Sequence, residues 1–112
     1  MHLEWSVFAL ADREAILDYI CADSPRAAVS VDDQIEARVE GLARFPEMGR
    51  LGRIEGTREL VIAGTPYVAA YRIANDTVRI LRVLHGAQEW PDEMPEEHPA
   101  QAHKKLASQE KQ

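Results

Sequence analysis

The stretch that decides the fold runs from Gly49 to Trp90 and reads GRLGRIEGTRELVIAGTPYVAAYRIANDTVRILRVLHGAQEW. A glycine-rich opening is followed by three short apolar runs that turn residues separate. We predict strands over residues 58–62, 67–73 and 77–85. Connections this short favour antiparallel pairing of neighbouring strands. The segment therefore predicts a three-stranded antiparallel meander, which a loop over residues 47–56 precedes.

The residues upstream predict one strand and two helices. Leu3, Trp5 and Val7 alternate with polar residues, a pattern typical of a short strand with one buried face. Helical spacing follows over residues 9–22, and after a Ser-Pro start over residues 25–44. The short join between the helices favours an antiparallel helical hairpin. We expect the first strand to join the meander in one small sheet and the helices to cover one face, an α+β fold.

Length and composition fit one ordinary globular domain. The chain has 112 residues, of which 46% are hydrophobic and 29% charged. No apolar run approaches the roughly 20 residues of a transmembrane helix, and the N-terminus lacks the pattern of a signal peptide, so we expect a cytoplasmic protein without membrane contact. The single cysteine, Cys21, excludes an internal disulfide and is expected to be a small buried residue of the first helix. No spacing of ligands indicates a metal, and we expect no cofactor.

The composition changes after Trp90. Three prolines, at positions 91, 95 and 99, alternate with acidic residues, and little apolar material follows. We therefore divide the chain into a folded domain over residues 1–90 and an acidic, proline-rich and polar tail over residues 91–112. We expect this tail to be flexible, with a marginal helix at most over residues 102–112.

Arginine is concentrated on the predicted sheet. The whole chain has a net charge of −6, but residues 50–85 hold six arginines against three acidic residues, a net charge of +3. An arginine on an open sheet face binds phosphate or carboxylate well; alternatively it is solvated or paired with Glu55, Glu59 or Asp76. The candidate anion-binding residues are Arg50, Arg53, Arg58, Arg72 and Arg79.

The last strand carries two further candidates, Arg82 and His85. His85 ends the strand, a position that suits a proton-transferring side chain, although a partly exposed histidine without such a role fits equally. Regular alternation along the strand predicts two faces. One holds Val78, Ile80, Arg82 and Leu84; the other holds Arg79, Leu81, Val83 and His85.

Three motifs in this stretch resemble a known family. They are G-R-x-G-R-x-x-G-T-R-E-L, T-P-Y-V-x-x-Y-R-I and R-V-L-H-G-A-Q-E-W. With the order of elements, they resemble the RelE/ParE superfamily of toxins from type II toxin–antitoxin modules, often called plasmid stabilisation proteins, over residues 1–95. The resemblance implies a bacterial growth-arresting toxin. It also implies an antitoxin partner that wraps an acidic amphipathic segment around the sheet and the helical hairpin.

The superfamily splits by activity, and the resemblance leaves three functions open. ParE-like members inhibit DNA gyrase, whereas RelE-like members cleave mRNA in the ribosome with basic residues that hold the scissile phosphate. RelE-like nucleases typically place an arginine where this chain has Val68, and basic residues where it has Ala87-Gln88. These departures favour gyrase inhibition. The alternatives are a ribosome-dependent mRNA endonuclease, with Arg82 and His85 as its catalytic residues, and an inactive protein that only binds its antitoxin.

Overall fold

Two helices and one five-stranded sheet make up residues 1–95, the part of the chain that the computed structural model describes. The helices are α1 (Val7–Cys21) and α2 (Pro25–Glu40), and a 3₁₀ turn over Gly41–Ala43 extends α2. The strands are β1 (His2–Trp5), β2 (Arg50–Leu51), β3 (Arg58–Val61), β4 (Tyr67–Ala74) and β5 (Thr77–His85). The predicted α+β fold is confirmed. The expectations for residues 96–112 lie outside the described residues.

The sheet has the order β1-β5-β4-β3-β2. β3, β4 and β5 form the predicted antiparallel meander, and β1 joins it by pairing in parallel with β5. The prediction of a loop over residues 47–56 was wrong for two residues. Arg50 and Leu51 form the edge strand β2, in which Arg50 lies opposite Glu59. A strand of two residues has no periodicity for sequence reading to detect.

Both helices begin at serine caps. The Ser6 hydroxyl accepts from the Ala9 N–H at 3.0 Å and the Ser24 hydroxyl from the Ala27 N–H at 3.1 Å. The first cap starts α1 at Val7. The first strand therefore ends at Trp5, whereas the alternating pattern predicted that it would include Val7. None of the helices that residues 1–95 form is both long and apolar enough to cross a membrane.

Two expectations for the helix ends were wrong. α2 gives way to the 3₁₀ turn after Glu40, four residues before the predicted end at Arg44. Cys21 is exposed rather than buried. α1 packs on the core through a stripe that includes Ile16 and Ile20. Because successive residues of a helix are about 100° apart, Cys21 is turned away from that stripe.

One face of the sheet packs on the helical hairpin. The core joins Tyr71 and Ile80 of the sheet to Ile35 and Val39 of α2, all of them fully buried. The Tyr71 hydroxyl donates to the carbonyl of Pro46 at 2.7 Å and accepts from the N–H of Gly49 at 2.9 Å. Burial raises the pKa of this phenol. Tyr71 therefore ties the glycine-rich segment to the core.

A β-bulge in β5 overturns the predicted alternation. Ala70 lies opposite Arg82 but Tyr71 lies opposite Ile80, so Leu81 is an additional residue in β5. Ile80 and Val83 consequently share the helix-packed core, where regular alternation predicted opposite faces. Beyond the bulge, Arg82 and Leu84 lie on the face of Arg79, and His85 lies on that of Val78.

α1 completes the edge of β5 where β1 ends. The last residue of β1, Trp5, pairs with Ile80. Further along, the Ser6 hydroxyl donates to the carbonyl of Leu81 at 2.9 Å, and the Asp12 carboxylate accepts from the N–H of Val83 at 2.8 Å. Helix side chains thus satisfy strand groups that would otherwise lack partners.

Candidate functional site

Two largely buried acidic side chains hold three of the seven candidate residues. Glu59 holds Arg50 and Arg53, and Asp12 holds Arg82. The other four have separate surroundings, so the described residues do not bring all seven together at one point. Those four are Arg58, Arg72, Arg79 and His85.

Glu59 is the centre of the first cluster, and its side chain is only 3% exposed. Its carboxylate accepts from Arg50 Nη2 at 3.0 Å, and from Arg53 Nε at 3.0 Å and Nη2 at 3.2 Å. The backbone N–H of Arg53 donates to it as well, at 2.8 Å. Burial by itself raises the pKa of Glu59, but these hydrogen bonds outweigh it and hold the pKa below its ordinary value. The carboxylate is therefore ionised and saturated with donors at neutral pH.

Trp90 closes this cluster from outside. The Arg53 guanidinium carbon lies 3.6 Å from the centre of the Trp90 ring, a cation–π contact. The indole N–H of Trp90 donates to the carbonyl of His85 at 3.1 Å. These two contacts of Trp90 hold the segment after β5 over the glycine-rich segment.

Arg82 forms a two-pronged ion pair with α1. Its Nε and Nη2 donate to the two carboxylate oxygens of Asp12 at 2.7 and 2.9 Å. The side chains are 28% and 15% exposed, so this pair is largely shielded from water. The hydrogen bonds from Arg82 to Asp12 raise the pKa of Arg82 despite its burial. The geometry is that of a structural link between α1 and β5.

His85 ends β5 within a hydrogen-bonded turn. Its Nδ1 accepts from the N–H of Ala87 at 3.0 Å, and its own N–H donates to the side-chain carbonyl of Gln88 at 2.9 Å. The ring meets Tyr67 edge to face, with centres 5.7 Å apart. Because Nδ1 accepts a hydrogen bond, a neutral His85 carries its proton on Nε2.

Arg58 is bound to the glycine-rich segment. Its Nη1 donates to the carbonyl of Gly49 at 2.8 Å, and its Nη2 lies 3.6 Å from the exposed carboxylate of Glu47.

Arg72 and Arg79 lie opposite each other on β4 and β5. Arg72 Nε donates to the carbonyl of Gly56 at 3.3 Å, and Arg79 Nε lies 3.3 Å from the Glu4 carboxylate on β1. These two arginines lie on the sheet face away from the helices, the face that Arg82 also shares.

Val68 and Gln88 stand where RelE-like nucleases typically carry basic residues, and both make structural contacts here. Val68 is 5% exposed and lies opposite Leu84, so a cation there would need a buried partner. Gln88 caps the backbone of His85. Residues 1–95 contain no group of three or more His, Cys, Asp or Glu side chains placed to hold a metal ion.

Sequence reasoning missed Asp12 as a partner. Asp12 lies on α1, 70 residues from Arg82 in the sequence. No local signal links residues this far apart. Pairing of arginines with Glu59 was one of the alternatives considered from the sequence, because an acidic residue within an arginine-rich sheet is a natural cross-strand partner.

Comparisons with known proteins agree with this fold. A family model described as "ParE toxin of type II toxin-antitoxin system, parDE" matches residues 3–90. The chain belongs to this ParE toxin family. It is therefore a toxin of a type II toxin–antitoxin system, and its partner is an antitoxin protein.

Relatives named after RelE and after ParE resemble this ParE-family chain. A putative toxin, Y4kP, of Sinorhizobium fredii is 46% identical over 80% of this chain and 92% of its own length. Toxin RelE2 of Caulobacter vibrioides is 42% identical over 75% of this chain and 93% of its own. A solved structure titled "Chromosomal ParDE TA system from P. aeruginosa" superposes with a TM-score of 0.67 at 30% identity. It covers 74% of this chain and 92% of that one.

Proposed function

We propose that this toxin arrests growth by binding and inhibiting DNA gyrase rather than by cleaving mRNA. The observation that carries the proposal is the engagement of Arg82 by both carboxylate oxygens of Asp12, at 2.7 and 2.9 Å. Arg82 is the arginine nearest in sequence to the histidine of the candidate nuclease pair. Its charge is already neutralised within the chain.

A nuclease needs cations that are available to the developing phosphate charge. If Arg82 served a phosphate, its guanidinium would have to leave a shielded carboxylate, and Asp12 would lose its main partner. Arg50 and Arg53 face a larger cost, because Glu59 is almost fully buried and would remain as an unpaired charge. Inhibition by surface binding requires no such release, which is why these contacts favour it.

Expression in bacterial cells separates the activities. We expect induction to stop growth with a DNA-damage (SOS) response and altered plasmid supercoiling, while ribosome-bound transcripts stay intact. Codon-phased cuts in mRNA without a DNA-damage response would overturn the proposal and support the mRNA endonuclease. Growth that continues unchanged would support an inactive antitoxin-binding protein.

A variant of the turn histidine provides the matched control. His85→Gln keeps a hydrogen-bond acceptor near Ala87 but removes the titratable ring. Growth arrest that survives this change agrees with gyrase inhibition. Loss of arrest in a folded His85→Gln variant, with restored mRNA, would identify proton transfer at His85.

For the antitoxin, we propose an acidic amphipathic segment that covers the outer side of α2. Three shallow depressions adjoin one another there. The first and second share Ala37, and the second and third share Met48; we call the resulting groove the α2 trough. Its apolar side chains Val29, Phe45 and Met48 are 56%, 60% and 38% exposed. Three basic residues, Arg26, Arg38 and Arg44, border it together with two acidic ones, Asp33 and Glu47. An apolar floor with a net positive rim fits an acidic amphipathic chain.

Val29→Asp tests this surface. The substitution places a carboxylate on the exposed trough, so we expect at least a tenfold weaker complex with the antitoxin and an unchanged free toxin. Titration calorimetry measures the affinity and circular dichroism the fold. Glu40→Gln, at an exposed position at the end of α2, is the control. Unchanged affinity of Val29→Asp would remove the α2 trough from the interface.

A further inference from the structure

One methionine lies on the floor of the α2 trough. All three methionines of the chain, Met1, Met48 and Met94, are among the described residues, and Met48 is the one that lines the trough. Met48 is 38% exposed and borders two of the three depressions. Its side chain is therefore open to small solutes and lies where a partner in the trough would cover it.

Contacts at both ends place the Met48 side chain. Its backbone N–H donates to the carbonyl of Phe45 at 3.1 Å, in the turn that follows the 3₁₀ segment. A Cβ built on Gly41 would lie 3.4 Å from the Met48 methyl group, so this methyl rests on the backbone at the end of α2. The sulfur between these two ends consequently has a defined neighbour.

That neighbour is the guanidinium of Arg38, in the last turn of α2. Arg38 Nη1 donates to Met48 Sδ at 3.5 Å, and Arg38 Nε donates to the carbonyl of Val61 at 3.5 Å. Both contacts are long, and a thioether is a weak acceptor. A stronger acceptor at the position of the sulfur would therefore bind Arg38 more firmly.

Oxidation of the thioether supplies such an acceptor. The sulfur attacks one oxygen of a peroxide, and a sulfur–oxygen bond forms as the oxygen–oxygen bond breaks. With hydrogen peroxide, the departing hydroxide takes the proton of the transferred hydroxyl and leaves as water. Sulfur loses two electrons and the peroxide gains them. The product, methionine sulfoxide, is a polar group that sulfoxide reductases convert back to the thioether.

We propose that Met48 is a reversible oxidation site at which a peroxide regulates antitoxin binding. The sulfoxide oxygen is bonded to the atom that Arg38 already contacts, so it accepts a charge-assisted hydrogen bond from Arg38. An antitoxin segment in the trough must then desolvate a polar group on an apolar floor. It also loses Arg38 from the basic residues of the rim. Both effects weaken the complex, and reduction of the sulfoxide restores it.

The regulatory part rests on the proposed binding of the antitoxin in the α2 trough. The oxidation of Met48 and the capture of Arg38 concern the toxin alone, so they are measured without the antitoxin.

The test compares each toxin with itself before and after hydrogen peroxide, in a Cys21→Ser background that removes the exposed thiol. Peptide mass spectrometry locates the added oxygen, and titration calorimetry measures the affinity for the antitoxin used in the Val29→Asp test. We expect oxygen on Met48 and a loss of affinity of about tenfold or more. Methionine sulfoxide reductases should reverse both changes.

Met48→Leu is the matched control, because leucine has a similar volume and no oxidisable sulfur. Whatever its affinity before treatment, that affinity should not change with peroxide, although Met1 and Met94 can still be oxidised. A Met48 that stays reduced would overturn the proposal. An equal loss of affinity in the parent and in Met48→Leu would do the same, as would full oxidation of Met48 with unchanged affinity.

NMR of the free toxin measures the capture of Arg38. Hydrogen exchange at the Arg38 guanidinium should slow after oxidation in the parent but not in Met48→Leu, and unchanged exchange in the parent would contradict the role of Arg38. If Val29→Asp weakens the complex and oxidation of Met48 does not, the regulation fails while the α2 trough stands. If neither changes the affinity, the α2 trough fails as the antitoxin site as well.

Discussion

Glu59→Gln is the most informative perturbation of the arginine cluster. The change keeps the shape of the side chain but removes the charge that Arg50 and Arg53 share. A hydrogen bond to a charged group contributes about 1.5–3 kcal/mol, and three reach this carboxylate from the two guanidiniums. The arginine side chains are 57% and 42% exposed, so water recovers much of that energy once they are released.

The remaining cost arises because the buried glutamine amide at position 59 would direct its own N–H donors towards the cations of Arg50 and Arg53. We expect the free energy of unfolding to fall by about 2 kcal/mol near neutral pH. For a domain of this size that corresponds to a decrease in Tm of about 10 °C. Urea denaturation followed by tryptophan fluorescence measures it, and Glu47→Gln, at a pair that is 78% exposed on its acidic side, should change stability by less than about 0.5 kcal/mol.

The pH dependence gives a second, independent readout. The pKa of Glu59 is lowered in the folded state from its ordinary 4.5. Its stabilisation is therefore fully present above the unfolded pKa and is lost as the pH falls through the folded one. The difference between parent and Glu59→Gln should shrink over that acidic range. A variant as stable as the parent near neutral pH, or a difference that does not change in acid, would refute the assignment of Glu59 as the charged centre.

Two further substitutions test the links between the elements. Asp12→Asn should lower the free energy of unfolding by about 1–2 kcal/mol, because the shielded ion pair with Arg82 is lost; urea denaturation checks it, and parental stability would contradict a structural role. Tyr71→Phe should cost about 1–2 kcal/mol, since the carbonyl of Pro46 and the N–H of Gly49 lose a buried partner. Hydrogen exchange at Gly49 should accelerate in that variant, and unchanged exchange would contradict the link.

Much of the fold could be predicted because its signals are local. The bounds of β5 agree with the prediction over residues 77–85, since the turn at Asn75-Asp76 and Gly86 limit the strand on both sides. Asn75 adopts a φ of 57°, which asparagine tolerates better than most residues.

The errors arose where tertiary contacts decide the structure. The bulge at Leu81 reversed the faces of Arg82 and Val83, and nothing in the alternation of β5 announces it. β2 depends on the pairing of Arg50 with Glu59 across the sheet edge. The same limit applies to the candidate site, because the identity of an arginine does not reveal which carboxylate holds it. Cross-strand Glu59 was a foreseeable partner; Asp12 on α1 was not.

Purified components test the central claim most directly. The toxin is added to a DNA gyrase supercoiling reaction and, separately, to a translating ribosome programmed with a defined mRNA. The account predicts that supercoiling is inhibited by the parent and by His85→Gln alike, while the mRNA stays intact. Codon-phased cleavage of the mRNA, with gyrase unaffected, would contradict it.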